Sequence, residues 1–198
     1  MREIITKAPS VTVQPAEEPI TLTEAKLHLR VDYDEDDALI EALIMAARER
    51  AEGHMWRALI TQTLNVRLDS WPCHEFLFLP RPRLQSVSSV QYTDDLGATA
   101  TFASSNYIVS TASEPGVIAL KDNAEWPTAT LQVIDGISVT YVAGYGVAAD
   151  VPAIIKQALL LTVGHWYENR EDVLAGAGMS GAALPMAAMA IFDMFKVR

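Results

Sequence analysis

Catalysis in this chain would have to come from four histidines, one cysteine and one dense group of acids. His165 and Glu168 stand three apart, so on a helix they share a face and the carboxylate could orient the imidazole as a general base. No motif brings a nucleophile or a second acid to them. The pair reads better as a helix end, with the aromatics of His165-Trp166-Tyr167 packed inward and Glu168, Asn169 and Arg170 in water. His28, His54, His74 and His165 form no HExxH and no close pair at metal-ligand spacing, and nothing near Cys73-His74 completes a zinc site. Asp32, Asp34, Glu35, Asp36, Asp37 and Glu41 could suggest calcium. They lack the central glycine and distal glutamate of an EF-hand, and acids at a helix start are favoured by the helix dipole. There is no GxSxG, P-loop or GxGxxG. Ala143-Gly144-Tyr145-Gly146 reads as a strand-to-helix turn. The expectation is a protein with no catalytic residues, no metal and no cofactor.

Composition narrows the class further. The 198 residues carry 15 Lys and Arg against 25 Asp and Glu, a net charge of −10. DNA-gripping proteins concentrate basic side chains, whereas here Arg48 and Arg50 alternate with Glu49 and Glu52, and Arg81 and Arg83 stand apart. Specific nucleic-acid binding is not expected, although DNA could pass such a surface without sticking. Half the residues are hydrophobic and mean hydropathy is +0.14, apolar enough to suggest surface buried against partners. The single Cys73 allows no internal disulfide, which fits a reducing compartment. The N-terminus lacks the apolar core of a signal peptide, and the apolar run 182–192 is too short to span a bilayer and contains Pro185. These features predict a protein made in a cytoplasm, with no membrane association.

The elements follow in three blocks. Residues 1–60 read as helical: Thr21 and Glu24 fit a capping box opening a short helix through Leu29, and Leu39, Ile40, Leu43, Ile44 and Ala47 then recur at helical spacing. Residues 61–143 read as β. Leu64, Val66 and Leu68 alternate with polar neighbours, as do Ile137, Val139 and Tyr141, and turn signals recur at Asp94-Asp95-Leu96-Gly97 and Ser113-Glu114-Pro115-Gly116. Residues 144–175 return to helix after Val151-Pro152. The fold class is α+β: a helical bundle made by the N- and C-terminal segments, with an inserted antiparallel β domain.

Residues 176–198 read as a flexible loop and a C-terminal arm. Gly176, Gly178 and Gly181 precede a helix from Pro185 to Phe195, and four of seven methionines lie in the last twenty residues. Methionine adapts to irregular surfaces. The segment suits ordinary core packing, or an arm whose contacts are Leu184, Met186, Met189, Ile191, Phe192, Phe195 and Lys196.

Taken together these motifs resemble the phage head–tail connector, or adaptor, family. The likeness rests on Pro19-Ile20-Thr21-Leu22-Thr23-Glu24-Ala25-Lys26, Asp36-Asp37-Ala38-Leu39-Ile40, Arg57-Ala58-Leu59-Ile60-Thr61-Gln62-Thr63 and Leu79-Pro80-Arg81-Pro82. Tyr141-Val142-Ala143-Gly144-Tyr145-Gly146 and His165-Trp166-Tyr167-Glu168-Asn169-Arg170 continue it. Gene transfer agents carry similar adaptors. The resemblance implies a virion protein at the head–tail junction, assembled in the bacterial cytoplasm as a ring, typically a dodecamer. It implies a portal protein on one side, a stopper or tail terminator on the other, and DNA passing through without specific binding. On this reading the C-terminal arm docks on the portal, and the subunit interface uses Leu39, Ile40, Leu43, Ile44, Trp166 and Tyr167. The competing reading is a carbohydrate- or protein-binding module of a phage particle, whose β domain would need an exposed aromatic platform drawn from Trp71, Tyr92, Tyr107 and Trp126. An enzyme using His165 has no motif behind it.

Overall fold

The computed structural model describes residues 7–169 and 185–197. The chain divides into two compact units: a β unit of 61–145 with the described residues before 17, and a helical unit of 17–60 with the described residues from 146 to 196. The fold is α+β.

In the β unit the strands are β1 Ser10–Val13, β2 Gln62–Leu68, β3 Phe76–Leu79, β4 Leu84–Thr93, β5 Thr99–Thr101, β6 Tyr107–Ser110, β7 Gly116–Leu120 and β8 Ile137–Ala143. They pair antiparallel in two sheets, ordered β1-β2-β8-β4-β5 and β3-β7-β6. The period of two places alternate side chains of β2 and β8 on one face, so Leu64, Val66, Ile137, Val139, Tyr141 and Ala143 are all fully buried. Registers Leu64↔Tyr141 and Val66↔Val139 bring those side chains together across the ladder. The β4–β5 hairpin turns where expected: Asp94 Oδ1 accepts from Leu96 N at 3.0 Å and Ala98 N at 2.8 Å, and Gly97 takes φ +86°, which a side chain would resist. At Gly116 a Cβ would lie 2.5 Å from Leu84 Cβ, so only glycine lets β7 approach there.

The helical unit contains α1 Leu22–Leu29, α2 Asp37–Met55, α3 Ala153–Glu168 and α4 Met186–Met194. The capping box at α1 is present: Glu24 N donates to Thr21 Oγ1 at 3.1 Å and Thr21 N donates to Glu24 Oε2 at 2.7 Å. Both α1 and α2 end in a left-handed residue, Arg30 and Trp56. α2 packs on α3, and α1 and α4 each pack on both. Small residues at the contacts, Ala25, Ala47, Ala51 and Ala158, bring the helices close, and Ile40, Ile44, Met55, Ile155, Leu159 and Val163 fill the space between.

Candidate functional site

Several of the residues singled out for chemistry are engaged elsewhere. His165 lies at the end of α3, where Asn169 Nδ2 donates to its backbone oxygen at 2.8 Å and stands 3.4 Å from its Nδ1, while Glu168 is exposed. Three of the acids around the start of α2 are engaged in hydrogen bonds or ion pairs. Lys26 Nζ bridges Asp34 and Asp37 at 2.7 Å each, and Asp36 accepts from Tyr167 Oη at 2.5 Å. Tyr33 Oη stands 2.9 Å from Tyr167 Oη, and the hydrogen bond to Asp36, followed by that to Tyr33, holds the Tyr167 phenol well above its ordinary pKa. This cluster ties the last turn of α3 to the first turn of α2. Among the described residues no three His, Cys, Asp or Glu side chains gather to hold a metal. No helix among them is long and apolar enough to cross a membrane.

What remains to do a job is surface. Of the residues expected at a subunit interface, Ile40 and Ile44 are 0% and 3% exposed in the single chain and Tyr167 is also buried. They already belong to the unit's own core, because α2 turns that face toward α3. Leu39, Leu43 and Trp166 are half-buried and border it. The free apolar side chain on this part of α2 is Met45, which the sequence reading passed over. Met45 lines a groove of about 350 Å³ with Ile20, Leu22 and Ile44, rimmed by Glu17, Glu18 and Glu41.

Of the two readings of the C-terminal helix, core packing and an arm, the contacts show packing on α2 and α3. α4 buries Ala188 and Phe192 completely, and the Phe192 ring lies 6.4 Å from His54. Arg57 Nε donates to Phe195 O at 3.2 Å, and His54 Nε2 stands 2.7 Å from Asp193 Oδ1. A helix that buries an aromatic ring in this way is part of the unit that holds it. Met189, Ile191 and Phe195 are half-buried, Met186 and Lys196 are exposed, and Met194 presents a further free apolar side chain. Leu184 and the glycines at 176, 178 and 181 lie outside the described residues.

A buried ion network went unread in the sequence. Arg48 and Glu52 are 4% and 2% exposed. Arg48 Nη1 donates to Glu52 Oε2 at 3.2 Å and Nε to Glu18 Oε2 at 2.8 Å, while Glu52 Oε1 accepts from Leu59 N at 2.7 Å. The i,i+4 spacing was the available signal. Its effect is to fix the chain leaving α2 against the helix it has just left.

The aromatic residues of the β unit do not form an open platform. Trp71 and Trp126 stack face to face at 4.9 Å and 11°, and Phe102 lies against both at 5.8 and 5.5 Å. Tyr107 stacks on Phe102 and is buried, and Tyr92 meets Trp71 edge-on. Trp126 Nε1 donates to His74 O at 2.9 Å. Rings that face one another leave little face for a sugar.

The class these features define is an α+β protein whose described side chains gather into packing and ion networks and whose free features are apolar surfaces. The chain belongs to the head completion protein family, whose model matches residues 18–197. This bears out the connector resemblance read from the motifs. No curated protein matches the sequence significantly. Solved structures share the fold, among them three from gene transfer agent particles. A chain from the neck of an empty gene transfer agent particle computed with C6 symmetry superposes with a TM-score of 0.79 at 22% identity, covering 97% of each chain. A chain from the virion of a native gene transfer agent particle gives 0.76 at 21%, and one from a native neck computed with C12 symmetry gives 0.71 at 22%, each again over 97% of both chains.

Proposed function

We propose that this chain is the adaptor subunit of a head–tail junction. Copies form a ring below the portal, extend the DNA channel and join the head to the stopper or tail terminator. The family match over residues 18–197 carries the reading. The fold shared with neck chains supports it, and the C6 and C12 symmetries of those necks support a ring, for which we propose twelve copies. The role is structural rather than enzymatic. A net charge of −10 suits a channel wall that DNA must pass without being held. The helices from the two ends of the chain act as one bundle that builds the ring. The bordering residues Leu39, Leu43 and Trp166 contribute to subunit contact, with Ile40, Ile44 and Tyr167 supporting them from beneath.

The portal would be met by the outer side of α4, through Met186, Met189, Ile191, Phe195 and Lys196, and by Leu184, which lies outside the described residues. Phe192 would act as the anchor that keeps this helix on its own subunit. The test is to delete the gene in the producing cell and image the particles. Heads without tails, restored by supplying the chain in trans, are expected. Normally tailed particles in its absence would overturn the proposal.

A further inference from the structure

We propose that neighbouring copies meet head to tail within the helical unit, with Leu27 and Arg30 at the end of α1 in one copy seated in the Ile20–Ile44–Met45 groove of the next. The inference rests on the ring reading and deepens it. A closed ring needs a heterologous contact, in which two different patches on one body match each other. The helical unit carries such a pair.

The groove is apolar at its floor and acidic at its rim. Met45 is 50% exposed there, although Ile20 and Ile44 beneath it are buried. Two of the rim acids are engaged within the chain: Glu17 Oε1 accepts from Ala148 N at 2.7 Å, and Glu18 Oε2 accepts from Arg48 Nε at 2.8 Å. Glu41 is exposed and has no partner among the described residues. The groove therefore offers an apolar seat beside two carboxylates that form no ion pair among the described residues, Glu17 and Glu41, of which Glu41 has no hydrogen bond either.

The other patch is its complement. Leu27 is 81% exposed on a helix whose buried residue is Ala25, so nothing in its own unit covers it. Arg30 follows it one turn on, held in the left-handed conformation by the helix cap, with its N–H bonded back to Leu27 O at 3.4 Å. Arg30 is exposed and, like Glu41, has no partner among the described residues. Lys26, the lysine of α1, is held by Asp34 and Asp37. An apolar knob beside one free positive charge thus matches an apolar seat with an acidic rim, where Glu41 is the acid with no partner among the described residues. Burying the knob supplies affinity, and the charge pair fixes register.

The experiment places cysteines at both patches, Leu27→Cys with Met45→Cys, in a Cys73→Ser background because Cys73 is exposed. The full-length chain is oxidised under conditions where negative-stain images show rings. A covalent ladder from dimer up to the ring is expected for the double variant, and neither single variant should cross-link. Rings without a ladder overturn this contact and leave the ring reading standing. Closed dimers from Met45→Cys alone also overturn it, because they require a two-fold contact. Absence of rings in the wild-type chain and in assembled particles overturns both readings. As an independent measure, Leu27→Asp should weaken assembly roughly 10- to 100-fold. Arg30→Glu and Glu41→Arg should each weaken it, and the two together should restore it. Singles that assemble like wild type would contradict the pairing.

Discussion

Replacing Phe192 with alanine tests whether the C-terminal helix is part of the helical core. The ring is fully buried on α4, beside the equally buried Ala188 and 6.4 Å from His54. Removing a buried phenylalanine costs about 3–5 kcal/mol, through lost transfer energy and the cavity left behind. For a chain of 198 residues each kcal/mol moves the melting temperature by about 2–4 °C, so the expected fall is roughly 6–20 °C. Met194 lies on the same helix but is 72% exposed, and Met194→Ala should change stability by less than about 0.5 kcal/mol. Urea titration followed by far-ultraviolet circular dichroism measures both variants against wild type. Equal, small effects at the two positions would refute the packed helix.

Arg48→Ala strands Glu52 in the core without its guanidinium partner, and should destabilise the chain by about 3–5 kcal/mol in the same titration. Thr21→Ala removes the side-chain half of the capping box and should cost about 1 kcal/mol. The Thr21 backbone N–H holds the Glu24 carboxyl below its ordinary pKa. Its contribution is therefore present above the usual glutamate range and lost as pH falls through that range and below, and Glu24→Gln should flatten this acid limb of the stability profile. Tyr167→Phe loses the bond to Asp36 and should cost about 1–2 kcal/mol. Because the folded state raises the Tyr167 pKa, wild-type stability from this group is complete below the ordinary tyrosine pKa and declines as pH rises above it, a decline that Tyr167→Phe should lack.

Local features were legible in the sequence because their partners are near in the chain. The Thr21–Glu24 box joins residues three apart, and the alternation in β2 and β8 is written into each strand because both lie inside the five-stranded sheet and bury one face. Ser10–Val13 was not read as a strand. Its side chains are exposed or half-buried, so no period shows, and the strand exists through its pairing with Thr63–Asn65. The stacking of Trp71 on Trp126 likewise depends on a fold that joins positions far apart in the chain. In α4 the buried side is Ala188 and Phe192, four apart, and alanine is too small to make that period stand out in the sequence. Arg48 and Glu52 read as surface because charges usually are, and each is buried by virtue of the other. Of the candidate surfaces, the α2 period was visible, but a period does not say whether the face meets another helix of the same chain or another copy. Met45 stood outside that period and so escaped notice.

The central claim is that copies of this chain build a ring between head and tail, and electron cryomicroscopy of the intact particle's neck tests it most directly. The account expects density for this chain in a closed ring, at twelve copies, with the helical units in mutual contact and DNA or an open channel at the centre. A neck lacking the chain, or one holding it as an isolated decoration without contact between copies, would contradict the account.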